Sequence, residues 1–331
     1  MNSKLTIVIP VYNQTELCRQ CLRNLAMQTY QNFSVILLDD CSVENYFELV
    51  QEFPGLDITY IRNDKNLGAI KNIFHSIFYP VTSEYIMSMH EDDLLHKDYL
   101  AMTIGVLDAH PNSVFLGSNC VFFDAFEDIE KEIVRPLQKG GFKELSAQNL
   151  VRFFLHNNPF MLASIIYRTT FLKTEKQPWL EEMSTACDRP FLVELAKQGN
   201  CLALDQKLFF SRRHGLGDMR GKYLNWSHVF KLYDYYRRQL PEPIQASDAR
   251  LFFSNSTNQL LLTYRTLLPN NRPNPFRYIL EAKKKGLLNF SSLDSKGVFG
   301  IFSMAVGAKV SFYILKIFQK LRPHTAERVN V

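Results

Sequence analysis

The chain has 331 residues, 46% hydrophobic, 13% aromatic and 21% charged. That is long enough for two domains with real cores and too apolar for a disordered or low-complexity protein. The net charge of +5 is uneven: residues 281–331 hold nine Lys/Arg against three Asp/Glu, leaving the rest at −1. A core so near neutrality argues against nucleic acid as a partner.

Leu5-Thr-Ile-Val-Ile-Pro10 is a continuous β-branched run, the pattern of a parallel strand covered on both faces. Pro10 is expected to terminate it, because proline cannot continue a central ladder. From Thr15 to Gln28 the apolar spacing has helical period, with Thr15 as the N-cap. Residues 32–38 form a second buried strand that ends in Asp39-Asp40-Cys41-Ser42. A helix over 43–52, a third strand over 58–62, the turn Asn63-Asp-Lys-Asn-Leu-Gly68 and a helix over 69–78 follow. The six cysteines are scattered, and Cys18-x-x-Cys21 has no second pair at zinc-site spacing. They read as buried thiols in a reducing compartment, with a metal or redox role for the pair as the alternative.

The fourth strand is the most informative. Tyr85-Ile-Met-Ser-Met89 is mostly apolar, then the chain turns at His90 into Glu91-Asp92-Asp93. Consecutive carboxylates at a core strand's end raise one another's pKa. A hard divalent cation such as Mg²⁺ or Mn²⁺ removes the conflict; the alternative is a polar loop with Asp93 capping the next helix. Strands alternating with helices predict a mostly parallel α/β sheet. Polar groups then stand at successive strand ends (Tyr12 and Asn13, Asp39 and Asp40, Asn66, Asp92), where open α/β sheets bind ligands. Neither Gly-x-Gly-x-x-Gly nor Gly-x4-Gly-Lys-Ser/Thr occurs, so dinucleotide and P-loop sites lack their fingerprint. Further on, strands are expected at 112–124, 163–167 and 201–210 and helices at 146–156 and 191–198.

Taken together, Val8-Ile-Pro-Val-Tyr-Asn13, Leu37-Leu-Asp-Asp-Cys-Ser42, Asn66-Leu-Gly68, Tyr85–Asp93, Asp188 before a helix and Leu208-Phe-Phe-Ser-Arg-Arg-His214 resemble the family 2 glycosyltransferases of the GT-A fold. The resemblance runs from about residue 4 to 215. It implies an α/β GT-A catalytic domain over 1–220, with a nucleotide-sugar half (1–100) and an acceptor half (101–220). Pro10, Tyr12, Asn66 and Gly68 would cradle the nucleotide. Asp40 would accept the imide N–H of uracil or thymine, with Asp39 supporting its loop; the alternative for both acids is helix capping.

The resemblance further implies that Asp92 is the surest metal ligand; His90, standing where the family has Asp, is a further candidate ligand for a borderline metal such as Mn²⁺, the alternatives being a residue that shapes the donor pocket or a packing residue. Glu91, Arg213 and His214 would serve the donor sugar and diphosphate, His214 also being a candidate metal ligand. Asp188, preceded by Cys187 where the family usually has Glu, would be the catalytic base of an inverting transfer; a structural N-cap is the alternative.

Residues 221–331 read as a helical extension. Within 298–322, Lys309, Lys316 and Lys320 fall on one stripe of an otherwise apolar helix, the pattern of an interfacial helix on an anionic membrane or of a helix packed on protein. Met1-Asn-Ser-Lys leads directly into a strand without a leader pattern. The expectation is a cytoplasmic enzyme, peripheral to the inner membrane face. Its Mn²⁺ or Mg²⁺ cofactor would serve transfer from a UDP- or dTDP-sugar to an undecaprenyl-linked glycan. A non-catalytic nucleotide-sugar-binding relative is the alternative.

Overall fold

A computed structural model of the protein describes residues 3–137, 140–156, 160–172, 186–213, 226–249, 251–253, 255–256, 281 and 284–285. In chain order the elements are β1 (Leu5–Val11), α1 (Thr15–Ala26), β2 (Phe33–Asp39), α2 (Tyr46–Gln51), β3 (Ile58–Arg62), α3 (Ala69–Ile77), β4 (Tyr85–Ser88) and β5 (Leu94–Leu95). There follow α4 (Tyr99–Ala109), β6 (Ser113–Phe123), α5 (Glu130–Val134), β7 (Phe142–Leu145), α6 (Ala147–Leu155), β8 (Ile166–Arg168), α7 (Asp188–Leu195), β9 (Asn200–Arg212) and α8 (Trp226–Gln239).

One sheet organises these elements, in the order β3-β2-β1-β4-β8-β6-β9-β5, with β7 on β9. The first four strands are parallel. At β8 the direction reverses, and β8 is antiparallel to both β4 and β6. Leu5, Ile7, Val8 and Ile9 of β1 have no exposed surface, which is why that run does not alternate: helices cover both faces. Layers of helix on a central sheet bury a large main core and a smaller cluster around Leu94, Phe123 and Phe210, and the strand ends remain free to carry a site.

Several element boundaries differ from expectation for identifiable reasons. Pro10 does not end β1, which continues to Val11 in register with β2, Pro10 opposite Leu38. The Val8 carbonyl accepts from Met89 N on the β4 side, and the Val11 carbonyl accepts from Asp40 N on the β2 side. By alternation Pro10 faces the β4 side, where the ladder has ended at Val8, so its missing N–H costs no bond. Thr15 is not the cap of α1; Gln14 holds that position without a side-chain bond. Helix α2 begins at Tyr46, capped by the Asn45 side chain on Glu48 N, so Asp39 and Asp40 are released from capping. Nor does Asp93 cap a helix, since β5 intervenes before α4. Helix α7 starts at Asp188 itself, three residues earlier than the periodicity suggested.

The chain divides into two compact units, Met1–Phe154 with Asn158–Asp218, and Leu155–Asn157 with Met219–Val331. In the second, Tyr233 and Tyr236 of α8 stack against Phe252. Among the described residues no helix is long and apolar enough to cross a membrane. The basic amphipathic segment at 298–322 and most of the C-terminal extension expected over 221–331 lie outside the described residues.

Candidate active site

The loops after β1, β2 and β3 each contain one backbone in the left-handed region: Asn13 (φ 53°), Cys41 (φ 69°) and Gly68 (φ 82°). For Asn13 and Cys41 that conformation is strained, and it persists only where surrounding bonds over-determine it. Those bonds are present. Four consecutive N–H groups of the first loop donate to side chains of other segments. Tyr12 N donates to Glu91 Oε1 (2.9 Å), Asn13 N to Ser42 Oγ (3.1 Å), Gln14 N to Tyr46 Oη (2.8 Å) and Thr15 N to Glu44 Oε2 (2.7 Å). Asn13 answers by accepting from Val43 N at 2.8 Å. Two of these groups, Gln14 N and Thr15 N, lie at the start of α1 and are satisfied by Tyr46 of α2 and by Glu44 just before it.

Asp39 and Asp40 are both buried, yet neither carboxylate is unpaired. Asp39 accepts from Ser42 N (2.9 Å), Ser42 Oγ (2.5 Å), Tyr60 Oη (2.8 Å) and Arg62 Nη1 (2.7 Å). It holds its own loop to the end of β3. Asp40 reaches the next loop: Oδ1 accepts from Asn63 Nδ2 (3.0 Å) and Leu67 N (2.8 Å), and Oδ2 from Gly68 N (2.9 Å). Asn66 closes the same turn with a bond from Nδ2 to the Asp40 carbonyl. Asp40 therefore shapes the Asn66–Gly68 turn with three N–H donors, and one acceptor direction on Oδ2 remains. The Tyr12 side chain, by contrast, is 44% exposed beside these loops, an aromatic face available for stacking.

At the end of β4 the acidic run splits. His90, Asp92 and Asp93 each bring one ligand atom within 4.8 Å of the others. Asp93 is almost fully buried; its Oδ2 lies 3.5 Å from His90 Nδ1 and accepts no hydrogen bond, and His90 Nε2 is likewise buried without a bond. Burial lowers the His90 pKa, but Asp93, Asp92 and Glu91 outweigh it and the net shift is upward. Burial raises the Asp93 carboxyl. Buried, unbonded ligand atoms on His90 and Asp93, with an Asp92 ligand atom close by, fit a divalent cation, and the imidazole nitrogen suits a borderline metal. Glu91 is turned the other way, beneath the first loop, where Tyr46 Oη donates to Oε2 at 2.5 Å. Burial pushes its carboxyl up to about 8 against the two bonds that favour the anion.

From β9, Arg212 closes over this cluster. Its backbone N–H donates to Asp93 Oδ1 (3.1 Å), Nε to the Asp92 carbonyl (3.1 Å) and Nη2 to Gln20 (2.8 Å), while the guanidinium stacks on Phe123 at 4.6 Å. Arg213, the expected diphosphate residue, is half-exposed and pairs with Asp124 (2.7 Å). Alternation gives no signal here, because Leu208, Phe209, Phe210 and Ser211 are all buried and Arg212 ends the same run. His214 lies outside the described residues.

Asp188 stands at the first turn of α7, whose Phe191 packs on Phe74, Phe78 and Tyr167. Burial raises its carboxyl above the ordinary range, opposed by Arg189 and by backbone N–H groups at the helix start. The raised pKa gives a stronger base once deprotonated. Cys187, at the position of a second acid, is buried and its thiol is pushed up to about 12. All six cysteines are free thiols, Cys18 and Cys21 fully buried in α1.

Residues 6–169 match the model of glycosyl transferase family 2. The poly(ribitol-phosphate) beta-N-acetylglucosaminyltransferase TarS of Staphylococcus aureus (strain MW2) is 24% identical over 221 residues, 64% of this chain and 36% of TarS. Glycosyltransferase GlyA of Streptococcus pneumoniae is 29% identical over 103 residues, 30% of this chain and 14% of GlyA. This chain thus spans about a third or less of the length of these two relatives. The crystal structure of S. aureus TarS 1–349 in complex with UDP-GlcNAc has the same fold, with a TM-score of 0.54 at 16% identity over 92% of both chains. With its parallel nucleotide-type half, its strand-end loops and the match across residues 6–169, the chain belongs to glycosyltransferase family 2.

Proposed function

We propose that this protein is an inverting, metal-dependent glycosyltransferase that moves a sugar from a nucleotide-sugar to a hydroxyl of a lipid-linked glycan. A UDP-sugar is the first choice of donor and a dTDP-sugar the second. The observation that carries the reading is the convergence of Tyr12, Asp40, the Asn66–Gly68 turn and the His90–Asp92–Asp93 cluster at one edge of the sheet, cross-linked by hydrogen bonds. The likeness to TarS, whose structure was obtained with UDP-GlcNAc, supports UDP as the carrier.

In this reading Tyr12 stacks on the base, and the remaining acceptor direction of Asp40 takes its imide N–H. Asp39 keeps that loop in place. His90, Asp92 and Asp93 would hold a divalent cation, which would supply positive charge to the diphosphate leaving group. Arg213 and His214 are candidates for the phosphate oxygens. Asp188 accepts the acceptor's hydroxyl proton while that oxygen bonds to the anomeric carbon and the bond to the diphosphate breaks. One displacement inverts the centre and requires no covalent nucleophile.

The acceptor proposal, an undecaprenyl-linked glycan in surface-polysaccharide assembly at the cytoplasmic membrane face, rests on the basic apolar stretch at 298–322. Incubating the full chain with UDP-, dTDP- and GDP-sugars, each with Mn²⁺, Mg²⁺ or EDTA, tests the reading. Slow metal-dependent release of one nucleoside diphosphate, lost in Asp188→Asn, is the expected result. Nucleotide-sugar binding without release, even with lipid-linked acceptors present, would instead make the protein a binding relative.

A further inference from the structure

Glu91 carries a role that its place between two metal-ligand candidates conceals. Its neighbours His90 and Asp92 turn to the cation cluster, whereas Glu91 is 6% exposed and points under the first loop. One oxygen accepts from Tyr12 N at 2.9 Å, the other from Tyr46 Oη at 2.5 Å. Tyr46 is itself fully buried, and its oxygen accepts from Gln14 N at 2.8 Å. Because that oxygen is already an acceptor for Gln14, its own proton is committed to Glu91. One carboxylate therefore fixes two N–H groups of the first loop, Tyr12 directly and Gln14 through a phenol.

From this geometry we infer that Glu91 is a positioning residue for the nucleotide: together with Tyr46 it holds the Tyr12–Gln14 backbone in its strained conformation and thereby sets donor affinity. The inference rests on the reading of the first loop as the nucleotide cradle. Asn13, between the two anchored residues, has φ 53°, a conformation that relaxes readily once its neighbours are released. Tyr12 presents its exposed ring from that same backbone, so a shift of the loop displaces the stacking face. The anchor is also continuous in sequence with His90 and Asp92. The loop thus takes its position from the segment that bears the cation ligands.

The test uses the full chain with two near-isosteric variants, Tyr46→Phe and Glu91→Gln. Tyr46→Phe keeps the buried ring and holds the test open should Glu91→Gln fold poorly. UDP binding is measured by calorimetry in EDTA, which isolates the loop from any cation. Donor KM and kcat are measured in parallel with Mn²⁺, and amide exchange is followed at residues 12–15. The expected result is faster exchange at Tyr12 and Gln14 than at Asn13 and Thr15, which Ser42 and Glu44 hold independently. UDP affinity should fall fivefold or more, donor KM should rise more than kcat falls, and the double variant should lose little beyond either single one. Unchanged UDP affinity despite faster exchange, or a fall in kcat at constant KM, overturns the inference. Wild-type protein that binds no nucleotide overturns the cradle reading itself, and this inference with it.

Discussion

Asp40→Asn separates an organising role of this carboxylate from a purely ligand-contacting one. Its two oxygens accept three N–H groups, from Asn63, Leu67 and Gly68, at 2.8–3.0 Å. The amide can keep one oxygen toward Leu67 and Asn63, but its NH₂ then opposes Gly68 N. One charge-assisted bond is lost, a buried N–H is left unpaired, and the other two bonds become neutral. Hydrogen bonds to charged groups contribute about 1.5–3 kcal/mol and an unsatisfied buried donor costs a similar amount, so a loss of about 3 kcal/mol is expected. Urea unfolding of both proteins, with m held constant, reads this as a lower midpoint. Exchange at Gly68 N should accelerate before global unfolding. A change below ~0.5 kcal/mol, the ordinary range for an inconsequential surface change, together with lost UDP binding would refute the organising role.

Other expectations follow from the same geometry. Arg62→Ala leaves Asp39 its Ser42 and Tyr60 donors but removes the cation. Because Arg62 is 43% exposed and screened by solvent, the stability loss should be about 1 kcal/mol by urea unfolding, with a weaker grip on UDP. His90→Asp exchanges the imidazole for a harder oxygen donor, so the Mn²⁺ over Mg²⁺ affinity ratio, read by calorimetry, should fall several-fold; an unchanged ratio would remove His90 from the ligand set. Burial raises the Asp188 pKa, and the deprotonated form is the base, so transfer should fall as pH drops through a value above the ordinary carboxylate range. An acid limb of kcat lying at or below an unperturbed aspartate would contradict that assignment.

Much of this was legible in the sequence because the first half of the chain is built from strong signals. Doubly buried parallel strands write unbroken β-branched runs, β3 over Ile58–Arg62 falls where the pattern puts it, and α8 over Trp226–Gln239 lies within the expected helical extension. What escaped were features decided by contacts distant in sequence. The two-residue strand β5 exists only through pairing with β9, and β7 is likewise a short partner of β9. Gln14 rather than Thr15 sits at the N-cap of α1, and no local pattern encodes that the Thr15 N–H is satisfied by Glu44, 29 residues away. At the site, residue types identified the acids but not their directions. Glu91 and Asp92 are adjacent, and only the fold turns one toward Tyr46 and leaves the other with the cation cluster. Arg212 was passed over for Arg213 because the length of β9 decides which of the two faces inward.

The most direct test of the central claim is calorimetric titration of the full chain with UDP, with and without Mn²⁺, repeated in Asp92→Ala. The account predicts UDP binding that Mn²⁺ strengthens at least tenfold in wild-type protein, with little strengthening left in the variant. UDP affinity indifferent to Mn²⁺, or equally enhanced in Asp92→Ala, would contradict a metal-assisted nucleotide site at the end of β4.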